Sequence, residues 1–162
     1  MPDMLVKLYD MEFVSNTKLP ADGISVKKAC IVDKKKILDF IKANFGADTP
    51  WAYECEYALF NSPVSCYIAV RNKEIIGFAC YDATAKGFFG PMGVSEKFRS
   101  MGVGLELLIR SLVSMKEFGY AYAIIGATSG RALEFYARHV GATVIEGSVL
   151  NKSIYKNLIS QE

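Results

Sequence analysis

The chain has 162 residues, 51% hydrophobic and 22% charged, which is globular composition with enough apolar material for a full core. Lys and Arg total 19 and Asp and Glu 17, a formal charge of +2 without the basic footprint of a nucleic-acid binder. The longest apolar runs fall far short of the ~20 residues of a membrane span, so no membrane partner is expected.

The start, MPDMLVKLYDMEF, has no basic region followed by an apolar stretch, so no secretory signal is expected. The expectation is a soluble, cytoplasmic, single domain over residues 1–162, with residues 1–23 an N-terminal extension packed on it. Residues 4–9 have partial strand character, 19–23 read as a turn, and 24–29 alternate like a half-buried strand. Asp33 is placed to cap a helix carrying Ile37, Leu38, Ile41 and Phe45 at helical spacing, with Gly46 as its stop. Pro50 suits the first turn of a second helix over 51–60, which bears Glu54 and Glu56.

Strands are then predicted over 66–70, 75–81 and 88–94, with turns at 71–73 and 84–87. A helix over 103–118 stacks Leu105, Leu108, Ile109, Leu112 and Met115 on one stripe. Residues 120–125 form an apolar run, as in a strand covered on both faces. Ser129 is placed to cap a last helix ending at Gly141, and strand-like pieces follow at 143–145 and 153–158. The order implies an α/β (α+β) fold, a mixed, mostly antiparallel sheet of about six to seven strands flanked by helices.

Cys30, Cys55, Cys66 and Cys80 include no Cys-x-x-Cys pair, and they are expected to be reduced and mostly buried. His139, the sole histidine, has no carboxylate cluster about it, so no metal is expected.

Chemistry concentrates in residues 90–104. A strand runs into a loop holding Arg99-x-x-Gly102-x-Gly104, and a helix starts at once. Unpaired N–H groups there suit a pyrophosphate, glycines admit it closely, and Arg99 adds a planar charged fork. Gly90-Pro91 should part the strand from a neighbour, and the exposed backbone can then take an extended amide as an added strand. Pyrophosphate plus a peptide-like arm describes coenzyme A.

Val94-x-x-x-x-Arg99-x-x-Gly102-x-Gly104 resembles the acetyl-CoA motif of the GNAT superfamily of N-acetyltransferases. Ala132-x-x-Phe135-Tyr136-x-x-x-x-Gly141 resembles the family's later helix, and segments such as 77–82 and 120–126 look like a bacterial branch. The resemblance implies a GNAT-like sheet with a splayed strand pair. Acetyl-CoA would be bound by Met92, Gly93, Val94, Arg99, Ser100, Met101, Gly102, Val103, Gly104, Ser129 and Tyr136. It also implies direct attack of an amine on the thioester, with Tyr136 as general acid.

The strand before the loop lacks the family's frequent glutamate, Ser129 replaces the usual asparagine, and Ala142 the usual phenylalanine. Glu54 and Glu56 are the candidate bases, with Asp82 and a water-mediated route as alternatives. Trp51, Tyr53 and Tyr81 are read either as acceptor-pocket walls or as core aromatics, and His139 as structural. The acceptor is expected to be a small-molecule amine or amino sugar. Alternatives are a non-catalytic coenzyme A sensor and a protein N-terminal or lysine acetyltransferase. An open strand edge after Gly141 would allow a homodimer.

Overall fold

A computed structural model describes residues 1–12, 23–149 and 152–159 of the chain. Its strands are β1 (Met4–Lys7), β2 (Ile24–Lys28), β3 (Cys66–Arg71), β4 (Glu74–Tyr81), β5 (Phe88–Val94), β6 (Tyr122–Ile125) and β7 (Thr143–Val144). Its helices are α1 (Lys34–Phe45), α2 (Pro50–Phe60), α3 (Val103–Glu117) and α4 (Arg131–Val140). The strands join in one sheet of seven in the order β2-β3-β4-β5-β6-β1-β7. Every pairing is antiparallel except β5 with β6, which are joined through α3. A parallel pair needs such a crossover, because its strands enter from the same end.

Each face of the sheet buries its own core. On one face Val103, Leu107, Leu108 and Leu112 of α3 and Tyr136 and Val140 of α4 pack with Val6, Ala79 and Phe89. On the other, Ile37 and Ile41 of α1 and Ala52, Cys55, Ala58 and Leu59 of α2 cover Cys66, Ile68, Phe78 and Cys80. Local signals set the helix ends. Pro50 opens α2, whose Trp51 N–H reaches Thr49 Oγ1 at 3.4 Å, and Gly141, at φ 62°, ends α4 in the left-handed region.

Several expectations are corrected. Residues 153–158 form no strand. Ile154–Asn157 is a 3-10 turn, started by the Ser153 hydroxyl accepting the Tyr155 N–H. Gly130, not Ser129, is the N-cap of α4, and the Ser129 carbonyl takes the Ala132 N–H. Asp33 does cap α1 by position, but its carboxylate pairs with Lys36 at 3.5 Å instead of a backbone N–H. Among the described residues β6 is fully buried on one face, by Ala123 and Ile125, and only in part on the other. Tyr122 is 47% exposed and meets Tyr9 edge-on. Residues 4–7 of the expected N-terminal extension are a strand within the sheet, between β6 and β7. The turn read at 19–23 lies, apart from Gly23, outside the described residues.

Candidate active site

Strands β5 and β6 pair only at Phe88 with Ile124 and Phe89 with Ile125. Beyond Gly90, whose φ is 116°, β5 stays with β4 alone, Met92 facing Ala79, Gly93 facing Phe78 and Val94 facing Gly77. The strands therefore part where the Gly90-Pro91 signal places the break. The Ser95 N–H bonds the Ile76 carbonyl, and backbone groups alternate sides along an extended strand. Counting back, Gly93 turns its N–H and C=O toward β4, while Met92 and Val94 turn theirs to the open edge.

Gly93 has a different use. A Cβ built on it would stand 2.4 Å from Cζ of Phe45, so the ring lies directly on the strand. Phe45 also meets Trp51 and Phe78, with centroids 5.2 and 5.9 Å away. This aromatic cluster ties the end of α1 and the start of α2 to the back of the open edge.

The open edge leads into the loop before α3. Arg99 Nε donates to the Val94 carbonyl at 3.2 Å, which anchors the exposed guanidinium beside the strand end. Ser100 and Gly102 take left-handed φ values of 64° and 80°, and Gly102 is the N-cap of α3. No side chain caps the helix, and its first backbone bond runs from Glu106 N to Gly102 O at 3.0 Å. The N–H groups of Val103, Gly104 and Leu105 thus have no helical acceptor. A Cβ on Gly104 would meet only Val94 Cγ2 at 3.7 Å and Met92 Cε at 4.0 Å, ordinary contacts. The protein has room for a Cβ there, and the bare position leaves the first turn open to an anion. Ser129 is exposed beside Gly130.

Tyr136 sits where the strands part. Its ring packs edge-on against Phe89, the last β5 residue paired to β6, at 6.2 Å, and against Phe135 at 5.3 Å. Burial alone pushes its phenol up to about 12, so it is protonated at neutral pH. His139 is exposed and stacks on Phe135 at 4.8 Å.

The candidate bases separate cleanly. Lys34 holds Glu56 at 2.8 Å. Asp82 is buried and takes the Tyr120 hydroxyl and, at 2.7 Å, the Gly87 N–H, which fixes the turn between β4 and β5. Glu54 accepts the Thr84 hydroxyl, and burial raises its carboxyl against the opposing pull of that bond. Of the aromatics, Trp51 is half-buried in the cluster behind β5, Tyr53 is exposed on α2, and Tyr81 is buried with Lys28 donating to its hydroxyl.

The model of the acetyltransferase (GNAT) family matches residues 35–142. The chain belongs to that family. The fold of this GNAT protein is shared with a GCN5-related glucosamine N-acetyltransferase region of a fungal multi-domain GH3 β-N-acetylglucosaminidase, at TM-score 0.71 and 14% identity over 89% of this chain and 19% of that one. An aminoglycoside acetyltransferase from an uncultured soil metagenomic sample, in complex with sisomicin, matches at TM-score 0.58 and 16% identity, covering 78% and 93%. A GNAT acetyltransferase from Brucella melitensis in complex with acetyl-CoA matches at 0.55 and 15%, covering 78% and 90%. The chain spans about a fifth of the length of the fungal protein. A search of the curated proteins finds no sequence match.

Two residues beside the candidate site had no motif to announce them. Tyr155, from the 3-10 turn near the C-terminus, lays its hydroxyl over Gly126 at the end of β6. Burial, then the charges of Glu54 and Asp3, push its phenol up to about 12. Asp3 is buried and accepts the Ala127 N–H at 2.9 Å, fixing the backbone just after Gly126. A glycine closing a strand was the one visible trace of this arrangement, and it did not say what would fill the space.

Proposed function

We propose that the protein is an acetyl-CoA-dependent N-acetyltransferase that moves the acetyl group to a primary amine of a small molecule or amino sugar, by direct attack in a ternary complex. One observation carries the reading: the open edge of β5 runs straight into the uncapped N-terminus of α3, with Tyr136 where the strands part. Acetyl-CoA supplies the activated thioester.

The N–H groups of Val103, Gly104 and Leu105, with Arg99, receive the pyrophosphate. Met92 and Val94 offer backbone groups to the pantetheine amides and a donor to the acetyl oxygen, where fixed dipoles act most strongly as charge develops. Tyr136, held neutral by burial, hydrogen-bonds and protonates the departing sulfur. Glu54, whose raised pKa brings it nearer the range useful to a general base, takes the amine's proton directly or through water. Two carboxylates near the parted strands, Glu54 and Asp3, favour a cationic amine over an anionic acceptor. The glucosamine and aminoglycoside enzymes that share the fold act on amines carried by sugars, which is in keeping with this class.

The test is thiol release from acetyl-CoA over a panel of amino sugars and small amines, with Tyr136→Phe beside wild type. Amine-dependent release that Tyr136→Phe slows at least tenfold supports the proposal. If coenzyme A raises the melting temperature and no amine yields thiol, the protein is a coenzyme sensor and the proposal falls. No melting shift at millimolar coenzyme A would remove both.

A further inference from the structure

Cys55 of α2, Cys66 of β3 and Cys80 of β4 bring three sulfurs together, all within 4.8 Å of one another. Cys66 and Cys80 face each other across the β3–β4 ladder, and Cys55 reaches them from the helix above, 3.9 Å from Cys66. Each of the three is 0% exposed. Among the described residues this is the one grouping of three histidine, cysteine or carboxylate side chains able to hold an ion. The expectation of reduced, mostly buried cysteines holds, and the fold adds what spacing along the chain does not show, that three of the sulfurs meet. A helix and two strands supply one ligand each, a pattern no short motif reveals.

We infer that Cys55, Cys66 and Cys80 form a buried three-thiolate site for a soft metal ion, with monovalent copper the best match. A metal–sulfur bond of about 2.3 Å, the zinc value, sets three coplanar sulfurs about 4.0 Å apart, so the cluster needs only small movements to close on an ion. The donor set is sulfur alone, which selects soft ions over magnesium, calcium or manganese. Zinc and iron–sulfur centres ask for four protein ligands or an open water position. The site has three ligands and lies in a dry core, and that favours an ion content with three.

Loading breaks three S–H bonds, forms three Cu–S bonds and releases three protons to solvent, with no electron transferred. Because the sulfurs are sealed from solvent, the ion enters as α2 docks on the sheet, and binding then couples to folding. A loaded site would pin α2, and with it Glu54, the neighbour of Cys55.

The experiment is anaerobic refolding of the full chain with monovalent copper against a coloured copper(I) chelator. Wild type and Cys30→Ser should each withdraw one equivalent. Cys55→Ala and Cys80→Ala should bind at least a hundredfold more weakly, with circular dichroism showing which of them folds, and either one suffices. Copper at a hundredfold excess over its dissociation constant should raise the melting temperature by about 5–10 °C in wild type and not in the variants. Four outcomes overturn the inference: the chelator keeps the copper, Cys30→Ser abolishes uptake, both alanine variants fold and bind like wild type, or the aerobically purified chain shows the mass deficit of a disulfide among the three. None of these bears on thiol release from acetyl-CoA, so the two proposals fail separately.

Discussion

The Tyr155 hydroxyl stands 2.2 Å from the point a Cβ on Gly126 would occupy, so the C-terminal turn is seated in a notch that only a glycine leaves open. The ring carbon bearing that hydroxyl is 3.0 Å from the same point. Gly126→Ala should therefore unseat Tyr155 while leaving the sheet intact. Limited proteolysis should cut the variant after residue 149 well before wild type. Adding Tyr155→Phe, which removes the clashing oxygen, should restore most of the protection.

Gly93→Ala should be the more damaging glycine change, because its neighbour cannot swing away. The Phe45 ring is wedged between Trp51 and Phe78, and a Cβ would overlap three of its atoms. Overpacking of this kind costs about 1–3 kcal/mol. Urea denaturation should show that loss, and Phe45→Leu in the same chain should recover part of it, giving a coupling energy unlike that of independent sites.

Gly104→Val separates binding from folding. A Cβ there meets only ordinary contacts, so the melting temperature should change little. Coenzyme A affinity, measured by calorimetry, should drop at least tenfold as the side chain covers the first turn of α3. Gly102→Ala should behave differently. At φ 80° a Cβ is strained, at about 1–2 kcal/mol, so stability and affinity should fall together.

Glu54 ties pH to both rate and stability. Its raised pKa means the native state holds its proton to higher pH than the unfolded chain does. Stability from this group is complete below the ordinary glutamate value of 4.5 and declines as pH rises through the raised native value. Glu54→Gln should thus gain on wild type in urea midpoint between pH 4 and 7. In the rate profile Glu54→Gln should flatten the acidic limb of kcat/KM, with a loss of about 10²-fold or more if Glu54 is the base.

Tyr136→Phe should leave coenzyme A affinity within a few fold, since the ring contacts with Phe89 and Phe135 remain. Its kcat should fall by about 10²-fold, the scale of a lost general acid. Wild type should also lose stability relative to the variant between pH 10 and about 12, where the unfolded phenol ionises and the native one does not.

Much of the architecture was legible locally. Pro50, Gly46, Gly141 and the Gly90-Pro91 pair mark backbone events that depend on a few adjacent residues, and the structure places those events where the residues are. The helix start after the loop from Val94 to Gly104 was legible for the same reason, since Gly102 caps α3 from within the same few residues. What could not be read depends on contacts distant in sequence. Gly93 lies under a ring from α1, Asp82 is consumed by Tyr120, and Tyr155 settles beside Glu54 and Asp3. Residues 153–158 misled because Ile154, Tyr155 and Leu158 suit a turn laid on a surface as well as a strand.

The placement of β1 also bears on how the protein is made. Its register partners are Ile125, Ile124, Ala123 and Tyr122, so β1 must wait for a segment made much later before it gains its neighbours. Until β6 follows, the emerging chain carries an apolar ribbon with unmet backbone groups. Slow folding and a call on chaperones follow from that delay, and the half of the sheet beyond β5 is where assembly should finish.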